Sequence, residues 1–151
     1  MIINTNKGRG LIPISEGGTN ADTAEAALEN LGGTSKKLLW VNPSPNSSFL
    51  AQTLELNLTG YDELDIFCLM ISNGQQRNFH TKVLKGGTGQ LTAPMVTSAS
   101  NGIVLRVRPI TSVNDSGITF SGGYVGEAGK AEASNNYLCV PFKIYGIKGV
   151  Q

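Results

Sequence analysis

Charge of one sign is what this chain lacks most. Its 12 Lys and Arg residues stand against 11 Asp and Glu, a net charge of +1, and the basic residues form no cluster. Nucleic-acid affinity rests on many phosphate contacts, so DNA or RNA is excluded as the main partner. Long apolar runs are also missing. None approaches the roughly 18 residues that span a bilayer, which excludes membrane insertion through a helix. With 2 cysteines and 1 histidine, a disulfide-dense scaffold is excluded too. Met1 to Gly10 lacks the apolar core of a secretory signal, so the expectation is a chain made and folded in a cytoplasm. In a reducing compartment Cys68 and Cys139, each within a strongly apolar run, read as buried thiols and not as a bridge.

What is present in quantity is turn chemistry. Gly, Ser, Thr and Asn make up more than a third of the 151 residues, the mark of a turn-rich β protein. Residues 1–36 differ from the rest, being polar, rich in Gly and Ala, and holding one helical segment. Ala24, Ala27, Leu28 and Leu31 fall at i, i+3, i+4 and i+7, one stripe of a helix over residues 22–31. Thr19, Asn20 and Asp22 offer N-cap oxygens, and Gly32-Gly33 gives the stop. A helix this short is marginal alone, so its stripe must dock on something. We therefore read residues 1–36 as an arm for anchoring and oligomerisation, and residues 37–151 as a second unit.

From Lys37 onward the period changes to two, with turn residues about every ten positions. This predicts a mainly β fold, a jelly-roll-like β-sandwich. Leu38 to Val41 reads as the first strand. Leu54, Leu56 and Leu58 alternate with polar residues in a half-buried strand. Leu64 to Ile71 is apolar at every position after Asp65, as in a central strand covered on both faces. Phe79 to Leu84 follows an Asn73-Gly74 turn. On the next strand Ile103, Leu105 and Val107 alternate with Val104, Arg106 and Arg108, which places both arginines on the wet face. Pro141 puts the last strand, Leu138 to Tyr145, at an edge or a bulge. Residues 114–136 read as a long Gly- and Ser-rich loop with short β pieces at best.

Catalytic chemistry finds little support. A Cys/His pair could draw only on His80 with Cys68 or Cys139, and apolar burial raises a thiol pKa and disarms it. Asp62, Glu63 and Asp65 crowd oxygen ligands together, but without the ligand series and central Gly of a calcium loop. They read as a turn entering a strand. Residues 122–131 lack both the first Gly and the Ser/Thr of a phosphate-binding loop. No enzyme activity, cofactor or metal is expected. Trp40 next to Leu39 and Val41 reads as core or as a stacking ring. Aromatic faces beside short polar side chains suit sugars, so Tyr124, Asn135, Asn136 and Tyr137 are the candidate receptor-binding residues.

The most specific signal is the run Gly17-Gly18-Thr19-Asn20-Ala21-Asp22-Thr23-Ala24, continued through Asn30-Leu31-Gly32. It resembles a Gly-Gly-Thr-Gly-Ala-Thr-Thr-Ala…Ala-Arg-Asn-Leu-Gly segment that recurs in tail-fibre and appendage proteins of bacteriophages. It departs from that segment at Asn20 and at Leu28. A second pattern is similar to virion-fibre proteins of phages of Gram-positive gut bacteria. It comprises Leu39-Trp40 with Asn42-Pro43-Ser44-Pro45, Leu58-Thr59-Gly60-Tyr61-Asp62, and Pro141-Phe142-Lys143-Ile144-Tyr145-Gly146. The resemblance implies a non-enzymatic virion component assembled in the host cytoplasm. It further implies a homotrimer, held to other virion proteins by the arm, that meets a host-surface glycan through its β unit. A head-fibre or decoration protein of purely architectural role is the alternative. A polysaccharide depolymerase lacks a convincing carboxylate pair.

Overall fold

A computed structural model of the chain describes residues 12, 18–72, 75–97, 102–127 and 133–149. The expected Asn73-Gly74 turn, and the arm ahead of Gly18 apart from Ile12, lie outside the described residues. The fold is mainly β: among the described residues there are one helix and ten strands, arranged in two sheets of four and six strands.

Helix α1 (Ala24–Asn30) is two turns long. Its N-cap is Thr23, whose Oγ1 accepts the Ala26 N–H at 3.1 Å, and not one of the three residues expected. Asn20 instead takes a left-handed φ of 51°, and Asn30 Nδ2 donates to the carbonyl of Thr19 at 2.7 Å. At the other end Gly32 has φ 74° and the Gly33 N–H reaches the Leu28 carbonyl at 2.8 Å. That bond is the glycine stop the sequence predicts.

The four-stranded sheet runs β1 (Ser35–Val41), β10 (Val140–Lys148), β3 (Glu63–Ser72), β4 (Gln75–Leu84), antiparallel throughout. β1 starts at Ser35, two residues inside the segment the sequence assigns to the arm. In the other sheet β2 (Gln52–Glu55), β7 (Gly117–Phe120), β6 (Gly102–Asn114), β8 (Tyr124–Glu127) and β9 (Ala133–Ser134) follow one another, and β5 (Gly89–Thr97) pairs the far side of β6. The chain crosses from β1 to β2 and back to β3, and its first strand lies beside its last. β3 with β4, and β5 with β6, are simple antiparallel pairs.

Between the sheets Leu64, Ile66, Cys68 and Met70 of β3 meet Leu91 and Ala93 of β5, Ile110 and Val113 of β6, and Ile118 and Phe120 of β7. The outward positions Asp65 and Leu69 of β3 are buried as well, so this strand is covered on both faces as its composition predicts. Phe49, from the crossing between β1 and β2, packs edge-on against Phe120 at 5.6 Å and against Trp40 at 6.3 Å. Trp40 is therefore a half-buried rim of the core.

Two expectations are corrected and one is narrowed. Residues 114–136 are not one loop: β7, β8 and β9 lie within them, and Ile118 and Phe120 are fully buried. Of the two placements expected for Pro141 the structure has the bulge and not the edge, since β10 lies between β1 and β3. The strand tolerates it through a register shift between Pro141 and Lys143, since a bulge removes the need for the missing N–H. Arg108 does not face water. It is fully buried, because β6 turns Arg108 and Ile110 inward until a register shift between Ile110 and Ser112 brings Val113 to the core.

Gly146 of β10 lies under the ring of Tyr61, and a Cβ there would come within 2.5 Å of Tyr61 Cδ1. Gly146→Ala should lower stability by about 1–3 kcal/mol, the usual cost of overpacking a filled site. A denaturation midpoint equal to that of the wild type would show that the ring moves aside freely.

Candidate functional site

The residues expected to meet a receptor converge at one end of the six-stranded sheet. Tyr124 of β8 pairs with Ser134 of β9, which leads directly into the turn Asn135-Asn136-Tyr137-Leu138. Asn135 Oδ1 accepts the Tyr137 N–H at 2.9 Å, and the Asn135 N–H donates to the Gly123 carbonyl at 2.7 Å. The approach is close enough that a Cβ on Gly123 would lie 2.5 Å from the Asn135 carbonyl oxygen. Tyr137 is 62% exposed, whereas Tyr124 and Asn136 are half-buried. Tyr124 thus sits in a strand and not in a loop, and Tyr137 offers the free ring.

Arg108 holds this turn from beneath. Its Nε donates to the Cys139 carbonyl at 3.0 Å, Nη1 to Ser121 at 2.9 Å, and Nη2 to Asn136 at 2.9 Å and Leu138 at 3.0 Å. No carboxylate joins these contacts; four carbonyl dipoles surround the cation. Only a planar fork with five N–H groups can serve carbonyls in so many directions. The Phe49 ring lies 5.1 Å from the guanidinium carbon, close enough for a cation–π contact. Burial pushes the guanidinium pKa down to about 10, which leaves it charged at neutral pH. Cys139, in a left-handed φ of 46°, delivers its carbonyl to Arg108 while its Sγ donates to the Arg106 carbonyl at 3.2 Å.

The thiols are free and buried, as expected. The neighbouring Cys139 thiol and burial push the Cys68 thiol pKa far up, and a protonated thiol is a poor nucleophile. The sheet itself separates Cys68 from the one histidine. Cys68 faces the core, while His80, opposite its neighbour Phe67, faces outward. Cys68 and His80 therefore do not meet across the sheet.

His80 is an exposed residue within β4, where it belongs to a cluster that sequence reasoning missed. On the outer face of the four-stranded sheet Asp65 is only 4% exposed. Its Oδ2 accepts Lys36 Nζ at 2.6 Å and its Oδ1 contacts His80 Nδ1 at 2.9 Å. His80 stacks on Phe67 at 5.1 Å, and the Lys36 ammonium lies 4.4 Å from the Tyr145 ring centre and 5.1 Å from that of Phe67. One signal in the sequence was Asp65, an acid set between Leu64 and the apolar run that begins at Ile66. Glu63 and Lys82 form a second pair beside it at 2.8 Å. Among the described residues no group of three or more His, Cys, Asp or Glu is placed to hold a metal.

Burial raises the Asp65 pKa, but hydrogen bonds and charge from Lys36 and His80 outweigh it and hold the carboxyl below its ordinary 3.8. The unfolded chain then binds more protons than the folded one between the two pKa values. The stability this group contributes is present above the unfolded value and lost as pH falls through the folded one. Wild type and Asp65→Asn should differ at pH 7 and converge below about pH 4. Urea midpoints from pH 7 to 2.5 check this, and curves that stay parallel would remove Asp65 from the acid limb.

The apolar stripe of α1 stays largely uncovered: Leu28 is 41% and Leu31 63% exposed, Ala24 is exposed, and Ala27 half-buried. Among the described residues no helix is long and apolar enough to cross a membrane. Comparisons of the chain with protein-family models, with curated proteins and with solved structures give no match.

Proposed function

We propose that this chain is a non-enzymatic structural component of a bacteriophage particle, a fibre or appendage subunit that joins other virion proteins through its arm and presents its sandwich to the host surface. The observation that carries the reading is the capped helix with its stripe exposed ahead of a β unit that has a core of its own. Seven helical residues do not stand alone in water, so Ala24, Ala27, Leu28 and Leu31 call for a partner surface. Three identical chains would supply one through closed symmetry. The run that resembles phage appendage segments, Gly17 to Gly32, spans this helix. Host contact would fall on Tyr137 and its neighbours Tyr124, Asn135 and Asn136, with repetition in a trimer multiplying weak single-site binding.

A purely architectural role is the second reading. It is favoured by the internal use of Asn135 Oδ1 and of the Asn136 carbonyl, which leaves Tyr137 as the main outward group. Gold labelling of a C-terminal tag on particles from the producing cell tests the common premise. Label on an appendage or shell is expected, and particles free of the chain would overturn both readings. Tyr137→Ala then separates them. It should leave the melting temperature unchanged, as for other surface changes, and reduce cell binding only if the turn meets the host.

A further inference from the structure

The outer face of the four-stranded sheet carries a cleft of about 440 Å³ that includes Thr34, Lys36, Glu63, Asp65, Lys82 and Ile147 in its walls. Small-molecule sites commonly start near 300 Å³. Two lysines face two carboxylates here, so the cleft carries no net charge. An anionic ligand meets Asp65 and Glu63, and a cationic one meets Lys36 and Lys82. What fits is a neutral molecule whose every polar group both donates and accepts. A hydroxyl does this: an ammonium donates to its oxygen while its O–H donates to the carboxylate alongside. Lys36 beside Asp65 at 2.6 Å and Lys82 beside Glu63 at 2.8 Å are two such pairs. Glu63 Oε1 is buried against Lys82 at 2.8 Å, so a ligand hydroxyl reaches this carboxylate through the 13% of its side-chain surface that stays exposed. Ile147, 6% exposed, supplies an apolar wall for the C–H face of a ring.

The site is also built in advance. The Lys36 ammonium is fixed by Asp65 and by the rings of Tyr145 and Phe67, and Asp65 is fixed from its other side by His80. Polar groups already held in place lose little freedom on binding.

We propose that this cleft binds a neutral carbohydrate through the Lys36–Asp65 and Lys82–Glu63 pairs. The proposal deepens the attachment reading and rests on it only for the source of the sugar. The full chain is applied to an array of neutral hexose and N-acetylhexosamine oligosaccharides, with uronic- and sialic-acid oligosaccharides alongside. The wild type should select neutral members, and Glu63→Gln and Lys82→Met should each reduce the signal at least tenfold. Lys82 is exposed, so its variant reads the site even where Glu63→Gln lowers stability. Glu55→Gln, an exposed change on β2 of the other sheet, should bind as the wild type does. No binding by the wild type, preference for acidic glycans, or a signal unchanged in both Glu63→Gln and Lys82→Met would each overturn the proposal. The labelled particle separates the two claims: a chain on the particle that binds no sugar sinks the cleft alone, and a sugar-binding chain absent from the particle sinks the virion reading alone.

Discussion

Replacing Arg108 by methionine is expected to cost about 3–5 kcal/mol, because several buried carbonyls lose the donor that satisfies them. The side chain is fully buried and donates to four carbonyls on two segments, Ser121 on one and Asn136, Leu138 and Cys139 on the other. Asn136 would keep the Phe49 N–H, which also reaches its carbonyl at 2.9 Å. The other three would lose the donor that satisfies them, and an unsatisfied buried polar group costs about 1–3 kcal/mol. Methionine fills much of the same volume, so the cavity contribution is kept small and the loss reports the hydrogen bonds. Arg108→Lys retains the charge but offers three donors from one point, and should also be destabilising. Urea denaturation gives the value. A loss under 1 kcal/mol for Arg108→Met would mean that water satisfies these carbonyls and that the turn does not depend on the guanidinium.

The reason this arginine escapes sequence reasoning is physical. A charged residue alternating with aliphatic ones normally marks the solvent side of a strand, and on β6 both alternating sets are equally apolar apart from the arginines. Which set faces inward is decided by pairing with β5, β7 and β8 and by the shift after Ile110. The acceptors that make burial tolerable lie 13 to 31 residues away, so no local pattern announces them. The same holds for Asp65, whose partners Lys36 and His80 come from separate strands. Features that depend on neighbours in sequence were legible. The helix stop at Gly32-Gly33 follows from the φ > 0 a helix end demands, and β3 from an apolar run long enough to cover two faces. Residues 117–127 failed because strands of four residues carry too few alternations to register, although Ile118 and Phe120, two apart and both buried, are the one trace of β7. Asn135, Asn136 and Tyr137 do share a turn. Tyr124 joins them through β8, an arrangement that requires the strands sequence reasoning omitted.

The second large effect concerns Leu28→Asp, whose consequence depends on what covers α1. Within one chain the effect is small, since Leu28 is 41% exposed and the bond from the Gly33 N–H goes to the Leu28 backbone carbonyl, which aspartate keeps. If the stripe packs against its copies, each contact gains an unpaired carboxylate in an apolar seam, which weakens assembly by several kcal/mol. Sedimentation velocity at micromolar concentration should then show a homo-oligomer for the wild type, three chains being the expected number, and a monomer for Leu28→Asp. The far-ultraviolet spectrum and the unfolding midpoint of the sandwich should be common to both, because the core between the sheets draws no residue from α1. A monomeric wild type would remove the oligomerisation role of Ala24, Ala27, Leu28 and Leu31. An oligomer indifferent to Leu28→Asp would move the subunit contact to another surface and leave the helix stripe for a different virion protein.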